Sequence, residues 1–321
     1  MAEIAIPTRR LPVLPLLAGV LLVGVVLFLG WNLSGPVAYI LHLRVVKLAA
    51  LVLVGAAIGM ATVLFQTLTG SRLLTPGIVG FDALFVFLQT LLVVALGGLG
   101  YTTLPPMAKF LTETGILIAA ALMLFGLLLK NGARDMTRMI LAGVILGVLL
   151  RGLAELGQRT LDPSAFAVVQ QAVFASFTSI PKDQLAIAAA VLAIAAGLAV
   201  RLASRMDVAA LGEQTARSLG LNYRRTALQA LALVAAMTAV STALVGPITF
   251  LGLLAASLAH QVAGTHRHAV VLPAAGLIGA AILVYGQFVF ERLLAMQSSL
   301  ALLVEFAGGL LFLALVLRRQ R

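Results

Sequence analysis

From Thr226 to Ala259 the chain carries no charged side chain, and most of its length is built from comparable apolar runs. Backbone polar groups in lipid must be satisfied within the spanning segment or in a closed barrel, so only helices or a barrel can accommodate such runs. Barrel strands alternate polar and apolar residues, and Leu11–Trp31 or Ala269–Phe290 do not. Composition points the same way. The chain is 62% hydrophobic, has a mean hydropathy of +1.12 and is only 10% charged, whereas soluble domains are about one-quarter charged. The sequence is therefore read as an all-α polytopic membrane protein, with its 321 residues forming a single transmembrane domain, 1–321.

A crossing takes about 20 apolar residues. Ten are expected. Leu11–Trp31, Leu48–Phe65, Phe81–Gly100, Thr114–Leu129, Met139–Leu156 and Leu185–Val200 supply six. The uncharged stretch after Thr226 is too long for one span, and Gly246-Pro247 divides it into two. Ala269–Phe290 and Leu300–Leu317 complete the set. Asp162–Asp183 is too polar to cross and is read as a connection with an interfacial helix around Phe166–Phe177.

Basic residues orient this path. Arg9 and Arg10 open the chain and Arg318, Arg319 and Arg321 close it, so both termini are expected in the cytoplasm. On that path fifteen of the 22 Lys and Arg residues fall on the inner side and seven on the outer side or outer span ends. The reverse orientation would invert the ratio. The +11 net charge is thereby explained by loop placement. With no basic domain and little aromatic interleaving, no nucleic-acid partner is expected. The absence of Cys excludes disulfides and thiolate metal sites.

Few residues offer chemistry. His260, His266 and His268 cluster beside Arg267 and are read as a solvated basic turn, with no metal site and no catalytic group assigned. No Gly-x-x-x-x-Gly-Lys-Ser/Thr occurs, so any ATP and Mg must bind a separate subunit, and this chain is expected to hold no cofactor. Charge within a span is expensive, at about 2.5–3.5 kcal/mol near its centre. Arg151 and Glu155, four apart, can neutralise each other; Asp82 and Glu305 stand alone. Local pairing or an ion pathway both fit these four. Gln66, Gln89, Gly246 and Pro247 are candidates for a translocation path. In Asp207–Arg225, Leu211–Gly220 reads as a short amphipathic helix ended by Gly220, with a Glu213–Arg217 pair at i,i+4.

That segment carries a resemblance. Leu211-Gly212-Glu213, Ala216-Arg217 and Leu219-Gly220 resemble the cytoplasmic coupling segment of the ABC permease family that imports vitamin B12 and ferric siderophores, the FecCD family. Arg44-Val45-Val46-Lys47 is similar to that family's Arg-x-x-Arg before its second helix, and Gly55, Gly59 and Gln66 to its Gly-rich second helix. Val245-Gly246-Pro247-Ile248-Thr249-Phe250-Leu251-Gly252-Leu253 resembles its Gly-x-Ile-x-Phe-Ile-Gly-Leu, and His260 follows where the family commonly has a Pro-His pair. Within the family, Arg72-Leu73-Leu74-Thr75-Pro76, Gly80-Phe81-Asp82-Ala83-Leu84 and Val304-Glu305-Phe306-Ala307-Gly308-Gly309 look most like ferric anguibactin/petrobactin-type permeases. They depart from the vitamin B12 branch, which has Asn-Pro-Leu-Ala in the first loop.

The resemblance implies a type II importer permease in a bacterial inner membrane. It implies a second, non-identical permease subunit, two cytoplasmic ATPase subunits and an outer-face substrate-binding protein. Leu211, Gly212, Glu213, Ala216, Arg217, Leu219 and Gly220 would meet the ATPase, and Arg44, Lys47 and Arg292 the binding protein. The implied cargo is a ferric siderophore. Vitamin B12 or heme import, ion-coupled secondary transport through Arg151, Glu155, Asp82 or Glu305, and membrane-embedded catalysis are the rival readings.

Overall fold

The computed structural model describes residues 13–32, 36–128, 136–178, 180–293, 304–310 and 312–313. Their regular secondary structure is helical, without strands among the described residues. The helices are α1 (Val13–Gly30), α2 (Val37–Thr69), α3 (Asp82–Thr102), α4 (Pro106–Leu128), α5 (Met136–Arg159), α6 (Pro163–Val173), α7 (Lys182–Ala209), α8 (Glu213–Ser218), α9 (Tyr223–Val245), α10 (Leu251–Ala263) and α11 (His268–Phe288). Single π-type turns, Gly77–Phe81 and Val289–Leu293, precede α3 and follow α11. Residues 304–310 are helical again.

Eight described helical segments are long and apolar enough to cross a membrane, and they correspond to the first seven and the ninth expected spans. α10 is a correction: at 13 residues it is about 20 Å long and cannot traverse a hydrocarbon core of about 30 Å. The tenth expected span lies mostly outside the described residues, as do the basic termini. The interfacial helix expected around Phe166–Phe177 is α6. Asp162 caps it, accepting from the N–H groups of Ser164 and Ala165, both at 2.9 Å, with Pro163 at the first helical position.

α2 is the axis of the bundle. It packs against α1, α7, α9, α10 and α11, and is the most enclosed of the spans. Its approach to α11 depends on missing side chains. Gly55 and Gly59 face Gly279 and Ala275, and a Cβ placed on Gly55 would lie 2.5 Å from the Gly279 carbonyl oxygen. Small residues facing each other let the backbones close, which is how helices associate where lipid removes the hydrophobic drive.

The helix also begins earlier than the apolar run suggests. At 33 residues, or about 50 Å, it takes in Arg44 and Lys47. Arg44 is buried because it has partners: its guanidinium donates to the carbonyls of Leu29 and Trp31 at 2.8 Å and Asn32 at 3.2 Å. These carbonyls lie at the C-terminal end of α1, where helix geometry leaves acceptors unfilled and the dipole favours a cation.

Two turns fold back into the bundle. Thr249 donates to Asp82 Oδ2 at 2.6 Å, and Thr75 donates to the Thr249 carbonyl at 3.4 Å. The segment before α3 and the segment before α10 were expected on opposite faces of the membrane. Because α10 is too short to cross, Thr249 lies inside the bundle and the two segments meet there.

Candidate functional site

The chain presents three features, one at each end of α2 and one on the side of the bundle. At the Lys47 end is a cavity of about 480 Å³ whose lining includes Arg44, Lys47, Lys182, Glu291 and Arg292. Lys47 pairs with Glu291 at 2.5 Å, and Gln287 also donates to that carboxylate. The three cationic residues expected at the docking face therefore converge. Their availability differs: Arg44 is committed to α1, Lys47 is half-neutralised by Glu291, and Arg292 lines the opening. Lys182, at the first turn of α7, was not singled out from sequence, since an isolated Lys at a span end has no local signature.

At the other end is the segment between α7 and α9. Gly212 (φ 92°) and Gly220 (φ 82°) bracket α8, and both φ values lie in the region that favours glycine. Neither position is crowded, so conformation, not space, requires glycine there. Leu221 N–H donates to Ala216 O at 2.9 Å and Gly220 N–H to Arg217 O at 3.0 Å. This is the paired closure of a Schellman motif. Glu213 and Arg217 form the expected i,i+4 ion pair. Ala216 is fully buried and anchors the turn, while Leu211 and Leu219 are 58% and 62% exposed. Leu211 just before Gly212 and Leu219 at the C-cap thus flank the short helix as an outward apolar pair.

The root of this segment is tied to the core. Asp207, near the end of α7, accepts from the His268 backbone N–H and pairs with His268 Nδ1, both at 2.7 Å. His268 Nε2 lies 2.7 Å from the Thr67 hydroxyl, which itself donates to Val63 O. This corrects the reading of His268 as part of a solvated turn: it is buried, whereas His266 and Arg267 beside it are exposed.

On the side of the bundle, a cavity of about 340 Å³ gathers all four isolated span charges. Asp82 of α3, Arg151 and Glu155 of α5, and Glu305 of the last helical stretch line it together with Pro247 and Thr249. Arg151 and Glu155 do not form the pair that their spacing allows; among the described residues neither has an ion-pair partner. Gly246 stands behind Pro247, with φ 93°, and a Cβ there would lie 2.8 Å from Ala175 Cα. The other two path candidates face elsewhere. Gln66 donates to the Arg72 carbonyl at 2.8 Å, holding the turn after α2. Gln89 accepts from the Tyr101 hydroxyl at 2.6 Å, inside a buried cluster where Lys109 sits 3.8 Å from the centre of the Tyr101 ring and 3.9 Å from Glu113.

Comparison with known proteins agrees with this architecture. The model of the FecCD transport family matches residues 31–318. Petrobactin import system permease protein YclO of Bacillus subtilis (strain 168) is 36% identical over 306 residues, covering 95% of this chain and 97% of the relative. Petrobactin import system permease protein FatC of Bacillus anthracis is 30% identical, covering 86% and 78%. A solved structure, described as an inward-facing metal-chelate type ABC transporter, superposes with a TM-score of 0.82 over 95% of this chain and 98% of that one; at 22% identity it speaks to the fold. With a multi-pass helical bundle and a family match across nearly all of it, this chain is a member of the FecCD transport family.

Proposed function

We propose that this chain is the membrane-spanning permease subunit of an ATP-binding cassette importer that carries a ferric siderophore across a bacterial cytoplasmic membrane. The observation that carries the reading is the end-to-end similarity to a petrobactin import permease. Both termini are cytoplasmic, ten helices cross or enter the bilayer, and the α8 end faces the cytoplasm with them. The chain forms one transmembrane domain. It binds no cofactor; ATP and Mg belong to two separate ATPase subunits.

The side cavity is the wall of the cargo path. Arg151 and Glu155 are exposed within a span and have no ion-pair partner among the described residues, and leaving such charges against hydrocarbon is costly. Enclosing that face against a second, non-identical permease gives the charges a hydrated passage instead. Exposed Ile145, Val148 and Leu149 of α5 and Phe306 of the last helical stretch supply apolar contact surface for that neighbour.

At the outer end Lys47, Arg292 and Lys182 receive carboxylates of the binding protein, with Arg44 holding the geometry. At the inner end Leu211, Gly212, Glu213, Ala216, Arg217, Leu219 and Gly220 seat in the ATPase and transmit its closure.

Vesicles carrying this chain with its candidate permease, ATPase and binding-protein partners test the reading. ATP-dependent uptake of ferric petrobactin in preference to vitamin B12 or hemin is expected. Uptake driven by a proton gradient without ATP would instead favour an ion-coupled carrier using the four cavity charges.

A further inference from the structure

One face of α7 changes character along its length. Ile187, Ile194 and Leu198 are exposed on it, and Arg201 and Arg205, also exposed, continue it at helical spacing. An aliphatic stripe turned outward from a membrane bundle belongs against hydrocarbon. The turn at which it becomes arginine marks the level of the headgroups.

α9 packs beside α7 and repeats the change in the opposite chain direction. Its exposed Arg225 and Gln229 lie one turn apart, and Leu233 follows one turn deeper. Between the helices lies a cavity of about 500 Å³. Leu198, Leu202 and Leu233 form its apolar floor, and Arg201, Ser204, Arg205 and Gln229 its polar rim.

The two rim cations have no hydrogen-bond or ion-pair partner among the described residues. The acids of the adjoining segment are engaged, Asp207 with His268 and Glu213 with Arg217. Two like charges one helical turn apart repel each other, and an anion between them removes that repulsion. A basic cleft between spans, continuous with a lipid-facing apolar stripe, has the chemistry of a headgroup site.

We propose that the α7–α9 cleft binds an anionic phospholipid. Arg201 and Arg205 hold its phosphate, Ser204 and Gln229 hydrogen-bond headgroup oxygens, and the acyl chains lie along Leu198 and Leu233. The site is independent of the cargo and places a lipid at the root of the α7–α8 connection.

Native mass spectrometry of the full chain with its partner subunits, given equal phosphatidylglycerol and phosphatidylcholine, tests this. Wild type is expected to retain phosphatidylglycerol in preference. The R201Q/R205Q variant should bind it roughly thirtyfold more weakly, whereas R201K/R205K and the distant R159Q should retain it. Equal retention of the two lipids by wild type, or unchanged phosphatidylglycerol binding in R201Q/R205Q, would overturn the proposal. So would displacement of the lipid by glycerol phosphate at the same concentration, which would make this a free-anion site.

Discussion

The Asp207 carboxylate receives both the backbone N–H and Nδ1 of His268 at 2.7 Å, joining residues 61 positions apart. This joint fixes the end of α7, from which the α8 segment departs, to the start of α11. Asp207→Ala removes the acceptor of both bonds and is expected to destabilise the bundle by about 2 kcal/mol, the range for hydrogen bonds to a charged group. A lower melting temperature in detergent should accompany more ATP hydrolysed per cargo molecule moved. Unchanged values of both would show that the joint does not position α8.

The α2–α11 crossing predicts a contrast among glycines. Gly55→Ala places a methyl against the Gly279 backbone, and overpacking of that kind costs about 2 kcal/mol. Gly197→Ala, in α7 with open space around it, should be tolerated and raise helix stability by up to about 1 kcal/mol. Thermal unfolding of the two variants side by side checks the ordering.

At the Lys47 end, stability and docking separate by residue. Lys47→Glu should weaken binding-protein affinity roughly tenfold at low salt, with the difference shrinking as ionic strength rises. Arg44→Gln strips a donor from the α1 carbonyls and should lower thermal stability, with little change in affinity per folded molecule. Titration of the binding protein onto the reconstituted complex at two salt concentrations, paired with melting curves, distinguishes them.

Asp162 gives a pH dependence. Its carboxyl is held below the usual carboxylate range by the Ser164 hydroxyl first and the Ala165 N–H next. A folded value below the unfolded one, about 3.9, means the cap supports α6 above that pH and fails as pH falls through the folded value. Amide protection at Ser164 and Ala165, corrected for intrinsic exchange, should be present above the unfolded value and lost as pH falls through the lower folded one. Asp162→Asn still caps but does not titrate, so its protection should persist across the same range.

Much of this was readable before the fold was known, and the division has a physical basis. Span positions follow from a one-dimensional quantity, the run of apolar residues against bilayer thickness, and the α8 turn is local, with Glu213, Arg217 and Gly220 within a few positions. Partners across the bundle leave no such trace. Nothing near Arg44 indicates that it fills the carbonyls of α1, and nothing near His268 points to Asp207. Arg151 and Glu155 mislead in the opposite sense: their spacing permits a pair, yet both open onto a cavity completed by α3, α6, the turn before α10 and the last helical stretch. Glu113 follows Lys109 by one turn of α4, but Tyr101 and Gln89 join that pair only when α3 packs on α4, so the cluster as a whole has no local signature.

The length of α2 has a mechanical corollary. The rise from Lys47 to Thr67 is about 30 Å, with no proline and no break recorded between them. One rod therefore meets the basic cavity at its first end and, through Thr67, the histidine joint at its second. Both ends are fastened to the same neighbour: Lys47 pairs with Glu291 just after α11, and Thr67 meets His268 at the start of α11. The basic cavity and the histidine joint are thus held at a fixed separation by two helices locked along their glycine crossing.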